Sequence, residues 1–179
     1  LREESTMNKQ THLATWDEMR LRHGIMLRLL EQIPATGLTS HPIGGMRTPV
    51  ELVVHIYTSA EQIADSVLTG RLADYDEKPV VASITTREQL LAFVNATWAS
   101  IDRKARSVSD AQLASLVETP WGKPFPGAAM LGFIHDEYLH HRGQLYAFVR
   151  TFGTEPVMVW DFENNAPEFR PQQQLAAKS

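Results

Sequence analysis

A chain of 179 residues, 43% of them hydrophobic, is long enough for one domain with a sizeable core. Its formal net charge of -4, with Lys and Arg scattered, excludes the basic face of a general nucleic-acid binder and the basic run that docks on an anionic membrane. The absence of cysteine excludes disulfides, thiolate metal sites and a cysteine nucleophile, and fits a reducing compartment such as the cytoplasm.

No apolar stretch approaches the length of a membrane span, and the N-terminus lacks a signal-peptide pattern. The composition places a helical domain over residues 8–164. Residues 1–7, ending at Met7, are set aside as an N-terminal extension. Residues 165–179, polar and containing two prolines, are expected to pack loosely.

The first helix is predicted near residues 12–33, with Thr15-x-x-Glu18 as a capping box and Thr11 as an alternative, earlier cap. Leu21, Ile25, Leu27, Leu29 and Ile33 carry its apolar positions, and Pro34 stops it. The second, near 48–69, has the clearest start: Thr48 at the N-cap, Pro49 after it and Glu51 closing the box. Leu52, Val53, Ile56, Ala60, Ile63 and Val67 form its stripe, and Gly70 suits its C-terminal stop. Residues 71–84 lack a sustained period and read as a connection.

The third helix is predicted near 86–106, with Thr85-x-x-Glu88 and Thr86-x-x-Gln89 competing for its start. A connection rich in Pro and Gly precedes the fourth, near 127–152, which Gly153 and Pro156 end. No convincing strands or repeats are present. Four amphipathic helices of this length imply an all-α four-helix bundle of antiparallel type, whose longer second and third connections allow crossover topology.

The fourth helix carries the chemistry. At about 100° per residue, Met130, Ile134, Tyr138, Leu145, Phe148 and Phe152 share one face, with His141 at its centre and Glu137 beside it. A carboxylate on a core-facing stripe is costly to bury unless a cation meets it. Glu137 and His141 are four residues apart, so they can converge on one metal ion. From these two residues alone, a Glu–His hydrogen bond in a satisfied core is the favoured alternative. His55 lies at the edge of the second helix's stripe, where a lone histidine is more often a hydrogen-bonded interfacial residue than a ligand.

His55 followed by His140-His141-Arg142-Gly143-Gln144, within HHRGQLYAFVRTFGTEP, resembles the DinB-like (DinB/YfiT-like) family of bacterial four-helix-bundle proteins. Pro120-Trp121-Gly122 before the fourth helix adds to the likeness, which runs from the first helix to Trp160-Asp161-Phe162. The resemblance implies a three-ligand site for a divalent metal at one end of the bundle, and a homodimer in many members. Its commonest ligand arrangement is one histidine in the second helix and a His-x-x-x-His pair in the fourth. His141 matches the second member of that pair, whereas Glu137 stands at the first. The carried-over set is therefore His55, Glu137 and His141, which suits nickel, zinc, iron or manganese. The replacement either preserves a modified site or marks its decay.

His135 projects about 120° from His141, on another face, and His140 about 100° away, towards Asp136 and Gln144. Arg142 is read as a salt-bridge partner to another helix, or else as an anion clamp. Gly143 is read as a point of close helix approach and Gln144 as a residue orienting a ligand. Trp98, Trp121 and Trp160 are packing residues or pocket walls. Two function classes follow. One, which the resemblance implies, is a metal-dependent transferase or hydrolase acting on a small-molecule substrate such as a thiol. The other is a non-catalytic bundle that binds a small ligand or serves a stress response with a degenerate metal site.

Overall fold

The structure, a computed structural model, describes residues 8–172. Four long helices dominate it: α1 (Lys9–Glu31), α2 (Pro49–Thr69), α4 (Arg87–Ser107) and α6 (Gly127–Thr151). Two short ones, α3 (Lys78–Ser83) and α5 (Asp110–Ala114), lie in the connections. The expected all-α class and the four helices are thus present, with boundaries shifted by at most three residues.

Local chemistry accounts for the helix ends. At α2 the Thr48 hydroxyl accepts from the Glu51 amide while the Glu51 carboxylate accepts from the Thr48 amide, and Gly70 closes the helix at φ 83°. At α4 the competition is won by Thr86 and Gln89, which cap each other reciprocally. At α1 neither expected threonine caps. Asn8 does, its side chain accepting from the Thr11 amide at 2.9 Å, and the helix begins at Lys9. Thr15 lies in mid-helix and turns its hydroxyl back to the Thr11 carbonyl.

The apolar stripes meet in one core that includes Leu29 and Leu30 of α1, Val53 and Tyr57 of α2, Val94 and Ile101 of α4, and Met130, Ile134, Leu145 and Phe148 of α6. Helix α2 packs mainly against α4 and α6, and α1 packs against the same two. So α1 and α2 stand across the bundle from one another, as do α4 and α6. The diagonal steps are made by the first and third connections. Of the second and third, which the sequence favoured for a crossover, only the third makes one. The first can cross because the 32–48 loop, though it looked ordinary, is long enough to span the bundle end.

The third connection also holds a two-residue antiparallel pairing, β1 (Leu116–Val117) with β2 (Phe125–Pro126). The segment after α2 is tied to it, since the Leu72 amide donates to the Glu118 carbonyl at 2.8 Å and the Glu118 amide to that of Gly70 at 2.9 Å. These bonds bring Leu72 and Trp121 to the same mouth of the bundle.

The expectation of a loose tail is corrected over residues 165–170. Asn165 is buried; its amide nitrogen donates to the Leu21 and Phe169 carbonyls at 3.0 and 2.9 Å. Phe169 packs edge-on against His23, and Arg28 binds Asp161 at 2.6 Å. A Cβ on Gly24 would meet the Asn165 side chain at 2.5 Å, so a residue without one is what lets this strap lie against α1. Composition hid this because one buried amide satisfying two backbone carbonyls outweighs a polar neighbourhood. Residues 1–7 and 173–179 lie outside the described residues. Among the described residues no helix is long and apolar enough to cross a membrane.

Candidate metal centre

His55 projects from the second turn of α2 and is about a fifth exposed. Its Nδ1 lies 2.8 Å from the Glu77 carboxylate, and the Thr58 hydroxyl donates to the same oxygen at 2.9 Å. This leaves Nε2 as the nitrogen free to act as a ligand. A carboxylate on the far nitrogen fixes the tautomer and raises the basicity of the near one.

His141 comes from the middle of α6 and is buried. Its Nε2 is 3.0 Å from Glu137 Oε2, and its Nδ1 is 3.5 Å from Gln144 Oε1. The imidazoles of His55 and His141 meet edge to face, with centroids 5.0 Å apart. Burial holds His141 below its ordinary pKa, Gln144 opposes this, the neighbouring His55 adds to it and Glu137 opposes it in turn. Burial thereby favours the neutral ring, the form that binds a metal.

One donor atom from each of His55, Glu137 and His141 lies within 4.8 Å of the other two. Donors about 2.0–2.2 Å from a common ion sit roughly 3–3.5 Å apart, so small side-chain rotations would close the set. Two imidazoles and one carboxylate fit a borderline divalent ion and leave positions open. The residues present are therefore compatible with such a group.

One part of the sequence argument is corrected. The Glu137 side chain is half exposed, at the rim and not on the inward face. It lies about 40° off the line through His141, enough to reach water. Its tolerance in the fold consequently needs no cation, and the support for a metal rests on the convergence of donors.

The other residues sort clearly. His135 stays away from the trio and contacts Asp136 at 3.5 Å. His140 is exposed and its Nε2 accepts from the Gln144 amide nitrogen at 3.1 Å, so Gln144 bridges both histidines. Arg142 forms no salt bridge among the described residues; it lies 5.9 Å over the Tyr146 ring, with Nη1 buried and unpartnered. Nothing lies within 4 Å of a Cβ built on Gly143, which therefore does not mark a close helix approach. Trp98 stacks on His23 inside the core, Trp160 is exposed, and Trp121 reaches the site.

Beside the trio opens a cavity of about 490 Å³, with His55 and Glu137 in its wall. Ile63, Leu72, Trp121 and Phe133 supply its apolar surface, and Ser59 and Gln62 its neutral polar groups. A space of this size accepts a small metabolite next to the donor atoms. Glu77 and Phe133 are among the residues that sequence reasoning missed, with Ser59, Gln62 and Leu72. Glu77 sits in the aperiodic stretch after α2, where nothing local marks it. Phe133 carried the weak signal of an aromatic residue off its helix's core stripe.

The DinB superfamily model matches residues 12–145, a span that holds all three converging residues and most of the chain. The chain belongs to the DinB superfamily. It is 22% identical to the protein YjoA of Bacillus subtilis over 125 residues, covering 70% of this chain and 80% of YjoA. The crystal structure of YjoA, a DinB-like protein, superposes with a TM-score of 0.66 over 81% of this chain and 96% of that one. A DinB-like protein from Bacillus cereus superposes with a TM-score of 0.67 at 18% identity, over 86% and 99% of the two chains. These structural likenesses show that the DinB-like fold is shared.

Proposed function

We propose that this DinB-superfamily chain is a metal-dependent enzyme acting on a small molecule, with His55, Glu137 and His141 as the ligands of one divalent ion. The observation that carries the reading is the convergence of those three donors, from two helices, at the mouth of a metabolite-sized cavity. When bound, the ion supplies Lewis acidity that lowers the pKa of a water or thiol beside it. The protein's part is geometric. Glu77 holds the His55 ring by its Nδ1, Gln144 steadies His141, and the apolar wall shields the space above them from bulk water. Glu137, half exposed, can also leave the ligand set and take a proton from an incoming group. Such a site suits transfer to a thiol, or hydrolysis.

The second reading is a small-ligand-binding bundle with a degenerate site. It is favoured by the 3.0 Å Glu137–His141 contact, which satisfies both groups without an ion. Titration with nickel, zinc, manganese and iron(II) separates the two. Stoichiometric binding that His141→Ala abolishes and His140→Ala retains supports the enzyme, whereas no His141-dependent site supports the second reading. We also propose a homodimer, supported by the family resemblance of the sequence; a mass by light scattering that stays monomeric at micromolar protein rejects it.

A further inference from the structure

The cavity beside the trio combines two kinds of lining. His55 and Glu137 in its wall are able to reach a metal. Trp121 and Phe133 supply its aromatic lining, and each meets Phe125 edge to face, at 6.3 and 5.2 Å. Trp121 is 62% exposed, a large apolar body left in water at the entrance. A flat ligand laid against it removes that surface from solvent. The carboxylates in the lining, Asp136 and Glu137, face no Lys or Arg there among the described residues. Asp136's one ionic neighbour here is His135 at 3.5 Å.

We infer that the site selects an aromatic-sized molecule with one metal-binding group, whose remote end is cationic or neutral and carries no carboxylate, sulfonate or phosphate. This rests on the proposed metal site for the reactive end only. Anionic groups at the remote end would meet Asp136 and aromatic ring faces, both negative, with no cation to offset their desolvation. A remote ammonium would meet the same carboxylate and the Trp121 face favourably. Charge-rich thiols bearing several carboxylates are thereby disfavoured, and aryl or benzylic thiols, alcohols and amines are favoured.

Calorimetric titration of the whole protein tests both ends separately. Without added metal, benzyltrimethylammonium should bind about tenfold or more tighter than benzenesulfonate, a probe of matching size. Trp121→Ala should remove most of that binding, and Asp136→Asn should narrow the gap between the two probes. Both side chains are exposed, so neither variant disturbs the core. With zinc added, 4-(aminomethyl)thiophenol should outbind 4-mercaptobenzoate by a similar factor. Equal or tighter binding of the anionic member of either pair, or indifference to Trp121→Ala, overturns the inference. Zinc stoichiometry is read independently: if zinc fails to bind while the ammonium preference persists, the metal reading falls and the pocket's selectivity stands.

Discussion

Glu77 acts on the candidate centre through His55. Its carboxylate lies 2.8 Å from Nδ1 and is steadied by Thr58, so it sets which imidazole nitrogen faces the cavity. Glu77→Gln keeps the shape but replaces the carboxylate by an amide, whose oxygen accepts more weakly. Affinity for zinc or nickel should fall about 10–100-fold while the stoichiometry stays at one. Competition against a chelating dye measures this, and unchanged affinity would remove Glu77 from the site. Burial makes His141 a weaker base, which favours its neutral ring, while the half-exposed Glu137 is free to exchange between His141, water and an ion.

At the scale of the element, α2 carries the strongest local instructions in the chain, and it is the helix that presents His55. Thr48 and Glu51 satisfy one another's amide groups, and the Thr48 amide is the main cause of Glu51's lowered carboxyl pKa. Thr48→Ala should therefore destabilise the fold by about 1 kcal/mol, lowering Tm by about 2–4 °C in a chain of this size. Thr15→Ala should change stability by less than about 0.5 kcal/mol, because Thr15 caps nothing. Paired thermal melts check both; a larger loss from Thr15 than from Thr48 would reverse the assignment of caps. The α2 start was fully legible because a capping box is complete within four residues. The α1 start was misplaced because several polar residues near His12 offered similar local signals. Only the observed backbone selects Asn8.

Across the whole molecule, His23 ties three layers together. It lies buried on α1, stacks on Trp98 of α4 at 4.3 Å, contacts the Tyr57 hydroxyl of α2 at 2.8 Å and meets Phe169 of the strap edge-on. Burial pushes its pKa down to about 3. The unfolded chain, with an ordinary value near 6.5, binds a proton that the folded chain refuses between those limits. Stability is therefore complete above about pH 6.5 and declines as pH falls towards 3, by up to about 1.4 kcal/mol per pH unit from this residue. His12, also lowered chiefly by burial, adds to the same slope. Urea midpoints of metal-free protein should fall between about pH 6 and 4, and His23→Gln should flatten that fall by close to one proton's worth. An unaltered slope in the variant would show that His23 does not set the acid limit.

By itself the sequence determined the four helices, most of their caps, the inward stripe of α6 and the i,i+4 pairing of Glu137 with His141. Each of these depends on residues within a turn or two, where backbone geometry alone decides what can meet. Tertiary structure decided the diagonal placement of α1 and α2, the burial of Asn165 under its strap, the exposure of Glu137, and the meeting of Glu77, His55 and Trp121 around one cavity. Those contacts join segments 19 to 144 residues apart, as in Thr58–Glu77 and Leu21–Asn165. No local period encodes such meetings, because they exist only once the apolar stripes have chosen their partners and the loops have closed over them.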